Sequence, residues 1–313
     1  MSPIRIALVG VGKIVRDQHA PVLAASPDFQ LAGTASPHSS LDGTPAFKSL
    51  DELLSNIPDV DAVAVTSTTD VRHDIARAAL AAGKHVLLEK PPCTTLSALD
   101  DLREQADGAR LTLFASWHSR FAPQVEAARA WLAGRRPTAI EVVWREDVRR
   151  WHPGQDWIWE PGGLGVFDPG VNALSILTGI TPARIYLLAA ELAVPQGRQA
   201  PIAASLKLST SDGAPVAAEF DWTGEGEQTW EIRVETAQGR LRLYDGGASL
   251  SIDGQPAPAP AAHDPQHAEY AGVYARFAEL VRTGASEVDD RPLRLAADAF
   301  LAGRRTTAPP FVE

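Results

Sequence analysis

A chain of 313 residues exceeds what one typical core accommodates, so two domains are expected, each with enough apolar surface to bury its own core. Hydrophobic and charged fractions of 45% and 22% are those of an ordinary globular protein, and a formal charge of −10 argues against a general binder of nucleic acid or anionic membranes. The single cysteine, Cys93, excludes an intramolecular disulfide and fits a reducing cytoplasm; the run from Ile4 to Val9 turns at once into Gly10, unlike a signal peptide, and no segment reaches membrane-spanning length.

From residue 4 to about 116, short β-branched runs alternate with amphipathic helical stretches, which predicts a parallel sheet covered on both faces. Strands are expected at 5–9, 31–35, 62–66, 85–88 and 112–115, with helices at 14–25, 70–82 and 96–106. Pro21 should split or kink the first helix, and Gly83 should stop the second. A helix over 122–132, ended by Gly134, leads into a half of different character. There 140–148, 185–192, 202–208, 216–222, 230–236 and 241–244 alternate like strands of a mostly antiparallel sheet. Turns such as Ser211-Asp212-Gly213 and Tyr244-Asp245-Gly246-Gly247 separate several of them, and 255–262 reads as an irregular surface excursion. Helices over 269–282 and 293–300 close the chain. The fold class is therefore α/β, with domains expected over 1–120 and 121–313.

Gly10-Val11-Gly12-Lys13-Ile14-Val15 follows a strand and opens a helix, the context of a dinucleotide-binding turn. Gly10 permits the tight turn and Gly12 lets a pyrophosphate approach the backbone, although Val15 stands where a third glycine is usual. At the end of the second strand, Ala35-Ser36-Pro37-His38-Ser39-Ser40 offers no carboxylate to the ribose before Asp42, and Ser36 and His38 can donate to a 2′-phosphate. NADP is thus the expected cofactor, with NAD as the second choice; a polar turn without phosphate contact is the plain alternative. Glu89-Lys90-Pro91-Pro92 closes the fourth strand at the edge where open α/β sheets place ligands, and the proline pair favours a functional Lys90 over a surface lysine.

The segment from Trp151 to Asn172 mixes indole rings, a glycine turn, a carboxylate and an amide, a combination no packing rule requires. Asp168 and Asn172 stand four apart at the start of an apolar helix and share one face, as for gripping a polar substrate. Four tryptophans, Trp144, Trp151, Trp157 and Trp159, fall within sixteen residues, and indole faces suit the C–H faces of pyranoses, with core packing expected for at least two of them. Trp230 is a later candidate for the same pocket. His118 and His152 are candidate partners for sugar hydroxyls, against a structural role for each, while His19 reads as a brace of the first helix. Metal binding is set aside, since no cysteine pair exists and the one His-x-x-x-His spacing, His263 to His267, contains Pro265; a serine hydrolase signature is missing as well.

The glycine turn, Glu89-Lys90-Pro91 and Gly162-Gly163 with Asp168 and Asn172 together resemble the Gfo/Idh/MocA oxidoreductase family along essentially the whole chain. That resemblance implies an N-terminal Rossmann NAD(P)-binding domain and a C-terminal α/β domain with an open, mostly antiparallel sheet that binds substrate and pairs subunits into a homo-oligomer. The longer run through Trp144, Glu146-Asp147, Trp151-His152-Pro153-Gly154 and Trp157-Ile158-Trp159-Glu160-Pro161 looks like the bacterial aldose 1-dehydrogenase branch acting on L-arabinose and D-galactose. It implies cofactor contacts at Thr66, Ser67, Thr68, His73, Glu89 and Lys90 beside Gly10, Gly12, Lys13, Ile14, Ser36 and His38, and sugar contacts at Glu146 and Asn172. The family usually carries histidine where this chain has Asn172, and asparagine cannot accept a proton.

These readings converge on oxidation of the anomeric carbon of an aldopyranose to a lactone by hydride transfer to a nicotinamide. Asp168 is the first choice for the base and Lys90 the second. The alternatives are a relative acting on an inositol or a modified sugar, a cofactor-bound sugar sensor without turnover, and a redox-assisted glycosidase.

Overall fold

In the computed structural model, which describes residues 2–258, 264 and 266–312, six parallel strands form the first sheet. They are β1 (Ile4–Val9), β2 (Phe29–Ala35), β3 (Ala46–Phe47), β4 (Ala62–Val65), β5 (His85–Leu88) and β6 (Leu113–Ala115), in the order β3-β2-β1-β4-β5-β6. β1 and β4 read as nearly unbroken apolar runs because helices cover the sheet on both faces, the reason parallel strands lack polar alternation. The order reverses at β1, so the carboxyl ends of β1 and β4 flank the switch point where such sheets take ligands.

Helices Thr69–Ala81 and Leu96–Ala109 lie where expected, and Gly83 ends the former with a φ of +75°. The first helix is split as Pro21 predicts: Val15–His19 is π-helical, and Ala20–Ala25 restarts as an α-helix with Pro21 in its first turn, where a missing N–H costs nothing. Pro21 cannot donate to the Asp17 carbonyl four residues back, and His267 Nε2 reaches that oxygen at 3.1 Å instead.

The chain divides into two units, Met1–His118 with His263–Asp290, and Ser119–Ala262 with Arg291–Glu313. The expected domain over 121–313 is therefore not one piece. Helix Ala268–Thr283 belongs to the first unit, because Tyr274 packs edge-on to Phe29 at 5.3 Å and Phe277 stacks on Phe29 and Phe114 at 6.1 and 6.2 Å. An amphipathic pattern names the apolar face of a helix but not the sheet it covers.

In the second unit, β7 (Pro137–Arg145), β8 (Ile185–Pro195), β9 (Ala203–Thr210), β10 (Pro215–Asp221), β11 (Thr229–Thr236), β12 (Gly239–Tyr244), β13 (Ser249–Ile252), β14 (Gln255–Pro256) and β15 (Arg304–Ala308) form one sheet. Its order is β14-β13-β12-β11-β7-β10-β9-β8-β15, antiparallel except for the β7/β10 and β8/β15 pairs. The expected strand over 140–148 stops at Arg145, because Asp147 accepts from the Arg149 amide at 3.0 Å and caps the short helix Val148–Trp151. The expected excursion over 255–262 begins as β14, and its residues 259–262 lie outside the described residues. In β10, Val216, Ala218 and Phe220 are buried while the alternate positions are not, so one face of the sheet is covered. Helix Phe167–Ile180 does the covering: Phe167 meets Phe220 at 5.7 Å, and all but Asn172 and Gly179 of its residues are buried. No helix among the described residues is long and apolar enough to cross a membrane.

Candidate functional site

The turn after β1 is shaped by a contact only glycine permits. Gly10 has a φ of +100°, and a Cβ there would lie 2.5 Å from the Ser67 backbone nitrogen, so the exits of β1 and β4 touch main chain to main chain. Thr66 Oγ1 lies 2.5 Å from the Gly10 carbonyl oxygen and secures the pair. At Gly12 a Cβ would meet nothing within 4 Å, and Ser67 Oγ is buried without a hydrogen-bond partner among the described residues. An open glycine turn beside an orphaned hydroxyl fits a dinucleotide. Lys13, paired with Asp17, and Ile14 are exposed on the same turn, and Thr68 precedes helix Thr69–Ala81.

Beyond β2, Ser36 is buried with its amide donated to the Phe47 carbonyl at 2.9 Å, and His38 is exposed. Two cations that sequence reasoning missed grip this turn: Arg16 donates to the Ser40 carbonyl at 2.9 Å and Lys48 to the Pro37 carbonyl at 3.1 Å. Both lie outside the turn itself, so no local pattern could have shown them. His73, expected at the cofactor, places its Nε2 2.9 Å from Asp101 on helix Leu96–Ala109 and its Nδ1 3.3 Å from Asp74, so the ring links two helices.

Glu89 is turned inward. Its Oε1 accepts from Tyr270 at 2.8 Å and from His19 Nε2 at 3.1 Å, and its Oε2 accepts the Lys90 backbone N–H at 2.9 Å. His19 Nδ1 meets the Tyr274 hydroxyl at 2.7 Å, so His19 does brace its helix, against a partner far along the chain. Burial works against a charge on Glu89, but the hydrogen bond from His19 and the fields of His19, His118 and Arg72 outweigh it and lower the carboxyl to about 2. Burial and the same carboxylate push the Tyr270 hydroxyl well above its ordinary value, so it stays a donor. The buried Arg72 guanidinium, also missed, donates to the carbonyls of Ser67, Glu89 and Pro91 and joins the β4 exit to the segment carrying Lys90. His118 Nδ1 sits 2.6 Å from Glu269, and its ring stacks on Tyr270 at 5.3 Å.

In the second unit the indoles organise a carboxylate. Glu146 is buried and accepts Nε1–H from Trp222 at 3.0 Å and from Trp230 at 2.9 Å. Trp151, 40% exposed, lies 6.1 Å from Trp230 and donates to Gln228 Oε1 at 3.0 Å. Trp157 is likewise exposed, whereas Trp144 and Trp159 are core, which matches the expected division of the four. The loop holding them folds tightly: a Cβ on Gly163 would lie 2.3 Å from the Trp157 carbonyl oxygen. Asp168 is 6% exposed on the core helix, and a buried carboxylate needs a partner; His152 Nε2 stands 3.2 Å from its Oδ2. One helical turn on, Asn172 is partly exposed. Of the His-x-x-x-His pair, His263 lies outside the described residues, and no group of metal-binding side chains is found among the described ones.

Residues 4–116 match the Gfo/Idh/MocA domain described as "Oxidoreductase family, NAD-binding Rossmann fold". The whole chain is similar to galactose 1-dehydrogenase of Pseudomonas fluorescens, 47% identical with both chains covered in full. The protein belongs to the Gfo/Idh/MocA oxidoreductase family. Its fold matches the crystal structure of D-galactose-1-dehydrogenase from Rhizobium etli with a TM-score of 0.94 and 50% identity, covering 100% of this chain and 99% of that one. A 3-ketoreductase from Actinomadura kijaniata, crystallised with NADP and TDP-benzene, shares the fold at a TM-score of 0.82 and 22% identity over 98% of this chain and all of that one.

Proposed function

We propose that this oxidoreductase oxidises the anomeric carbon of an aldopyranose, D-galactose or L-arabinose, to the lactone, with NADP preferred over NAD. The observation that carries the reading is the buried Asp168 carboxylate beside the partly exposed Asn172, on a unit whose Trp151 and Trp157 present indole faces. Full-length likeness to a galactose 1-dehydrogenase supports it.

A bound nicotinamide dinucleotide supplies the hydride acceptor. Gly10, Gly12, Lys13, Ile14, Ser36, His38 and Thr66 to Thr68 hold it, with Arg72 keeping the backbone around Ser67 and Lys90 in place. Asp168 takes the proton of the anomeric hydroxyl, and Lys90 is the second candidate for that role. Asn172 and Glu146 bond ring hydroxyls while Trp151 and Trp230 pack on the C–H face of the sugar. The single cysteine suits an enzyme of the cytoplasm.

Free D-galactose or L-arabinose should drive NADPH formation, followed by its absorbance. Folded protein that binds sugar and cofactor but reduces no NADP with any free aldose would favour the sensor or glycosidase reading.

Cofactor choice is read by the Ser36–Ser40 turn and the two cations on it. Ser36→Asp is expected to turn the preference toward NAD, through repulsion of the 2′-phosphate and a new bond to the ribose hydroxyls. Arg16→Ala should lower the NADP:NAD ratio of kcat/KM by about tenfold, the scale of one charge-assisted hydrogen bond. A ratio untouched by either substitution would place specificity elsewhere.

A further inference from the structure

The hydrogens around Gln155 have one consistent arrangement. The Trp157 indole N–H can only donate, and it reaches Gln155 Oε1 at 3.1 Å, so the side-chain amide presents its oxygen there. The same oxygen lies 3.2 Å from His152 Nδ1, and an amide oxygen only accepts, so Nδ1 carries a hydrogen. Nε2, the other ring nitrogen, faces Asp168 Oδ2 at 3.2 Å. A bare imine nitrogen and a carboxylate oxygen would repel at that distance, so a proton lies between them; with that proton on Nε2 the Asp168 carboxylate stays ionised and able to act as the acceptor. The indole of Trp222, 5.2 Å away, and that of Trp157, 6.4 Å away and edge-on, pack against the ring.

We infer that Gln155 is a positioning residue: by fixing the Nδ1–H form of His152 it aims Nε2 at Asp168, so that histidine and aspartate hold one proton between them. The inference rests on the reading of Asp168 as the proton acceptor and deepens it, since the carboxylate is then oriented by a histidine whose own tautomer is set from its far side. His152, expected as a partner of sugar hydroxyls, becomes a partner of the base.

Ring-nitrogen NMR of the full chain labelled at its eight histidines tests this without any mutation. The His152 signals, identified by their loss in His152→Asn, should show Nδ1 protonated. Gln155→Leu, which keeps the size of the side chain but removes the acceptor, should lose that preference and lower kcat about tenfold or more while KM for galactose changes less than about threefold. Gln155→Glu, which still accepts, should restore both the tautomer and most of the turnover. An unprotonated Nδ1 in the native protein, or native kcat in Gln155→Leu, overturns the inference. Near-native turnover in Asp168→Ala would instead overturn the role of Asp168, and the NMR result would stand apart from it.

Discussion

Asp168→Ala is expected to lower turnover with galactose about 100-fold or more, the usual scale for losing a general base. The carboxylate sits on a helix of which all but two residues are buried, so its only justification in that setting is a partner and a task. Asp168→Asn keeps the shape and should show the same loss with the fold intact. Lys90→Ala should cost a similar factor. The main-chain contacts of this segment, from the Lys90 N–H to Glu89 and from Arg72 to the carbonyls of Glu89 and Pro91, do not involve the lysine side chain and remain in the variant. Asn172→Ala should raise the KM for sugar by roughly tenfold, as expected for a hydroxyl left without its partner. Steady-state kinetics on the three variants separates these roles, and near-native turnover in both Asp168→Ala and Lys90→Ala would refute the assignment of the proton to this pair.

What the sequence made legible was whatever depends on neighbours in the chain. The alternation of apolar runs gave the parallel sheet, Pro21 the break between Val15–His19 and Ala20–Ala25, and the spacing of Asp168 and Asn172 their common face. The short strands β13, β14 and β15 escaped because two to five residues are too few to show a period. The site was harder for a different reason. Arg16, Lys48, Arg72 and Tyr270 act through partners between five and 181 residues away, and a hydrogen bond between distant elements leaves no mark on local periodicity. His73 is a further case: its hydrogen bond to Asp101, on another helix, is not legible from its place in a familiar motif.

Glu89→Gln should make the protein less stable at neutral pH, by an amount that fades as the pH falls. The ordinary carboxyl value is 4.5 and Glu89 in the fold lies at about 2; at roughly 1.4 kcal/mol per pH unit the difference amounts to about 3.5 kcal/mol of stability carried by the ionised side chain. Because the folded value is the depressed one, this contribution is complete above pH 4.5 and is lost as the pH falls from there toward 2. The glutamine variant has no such proton to bind, so the gap in urea midpoint between it and the native protein should be widest at pH 7 and should narrow between pH 4.5 and 2. Tyr270→Phe, which removes one of the three donors to the carboxylate, should give a smaller loss, about 1.5–3 kcal/mol at pH 7, and should start to feel acid at a higher pH because Glu89 is then held less firmly. A gap between native and Glu89→Gln proteins that stays constant from pH 7 to pH 3 would mean that the buried carboxylate is not held ionised by His19 and the neighbouring cations, and that the fastening of helix Ala268–Thr283 rests on its aromatic contacts and on ties such as Arg282 to Asp28 at 2.7 Å.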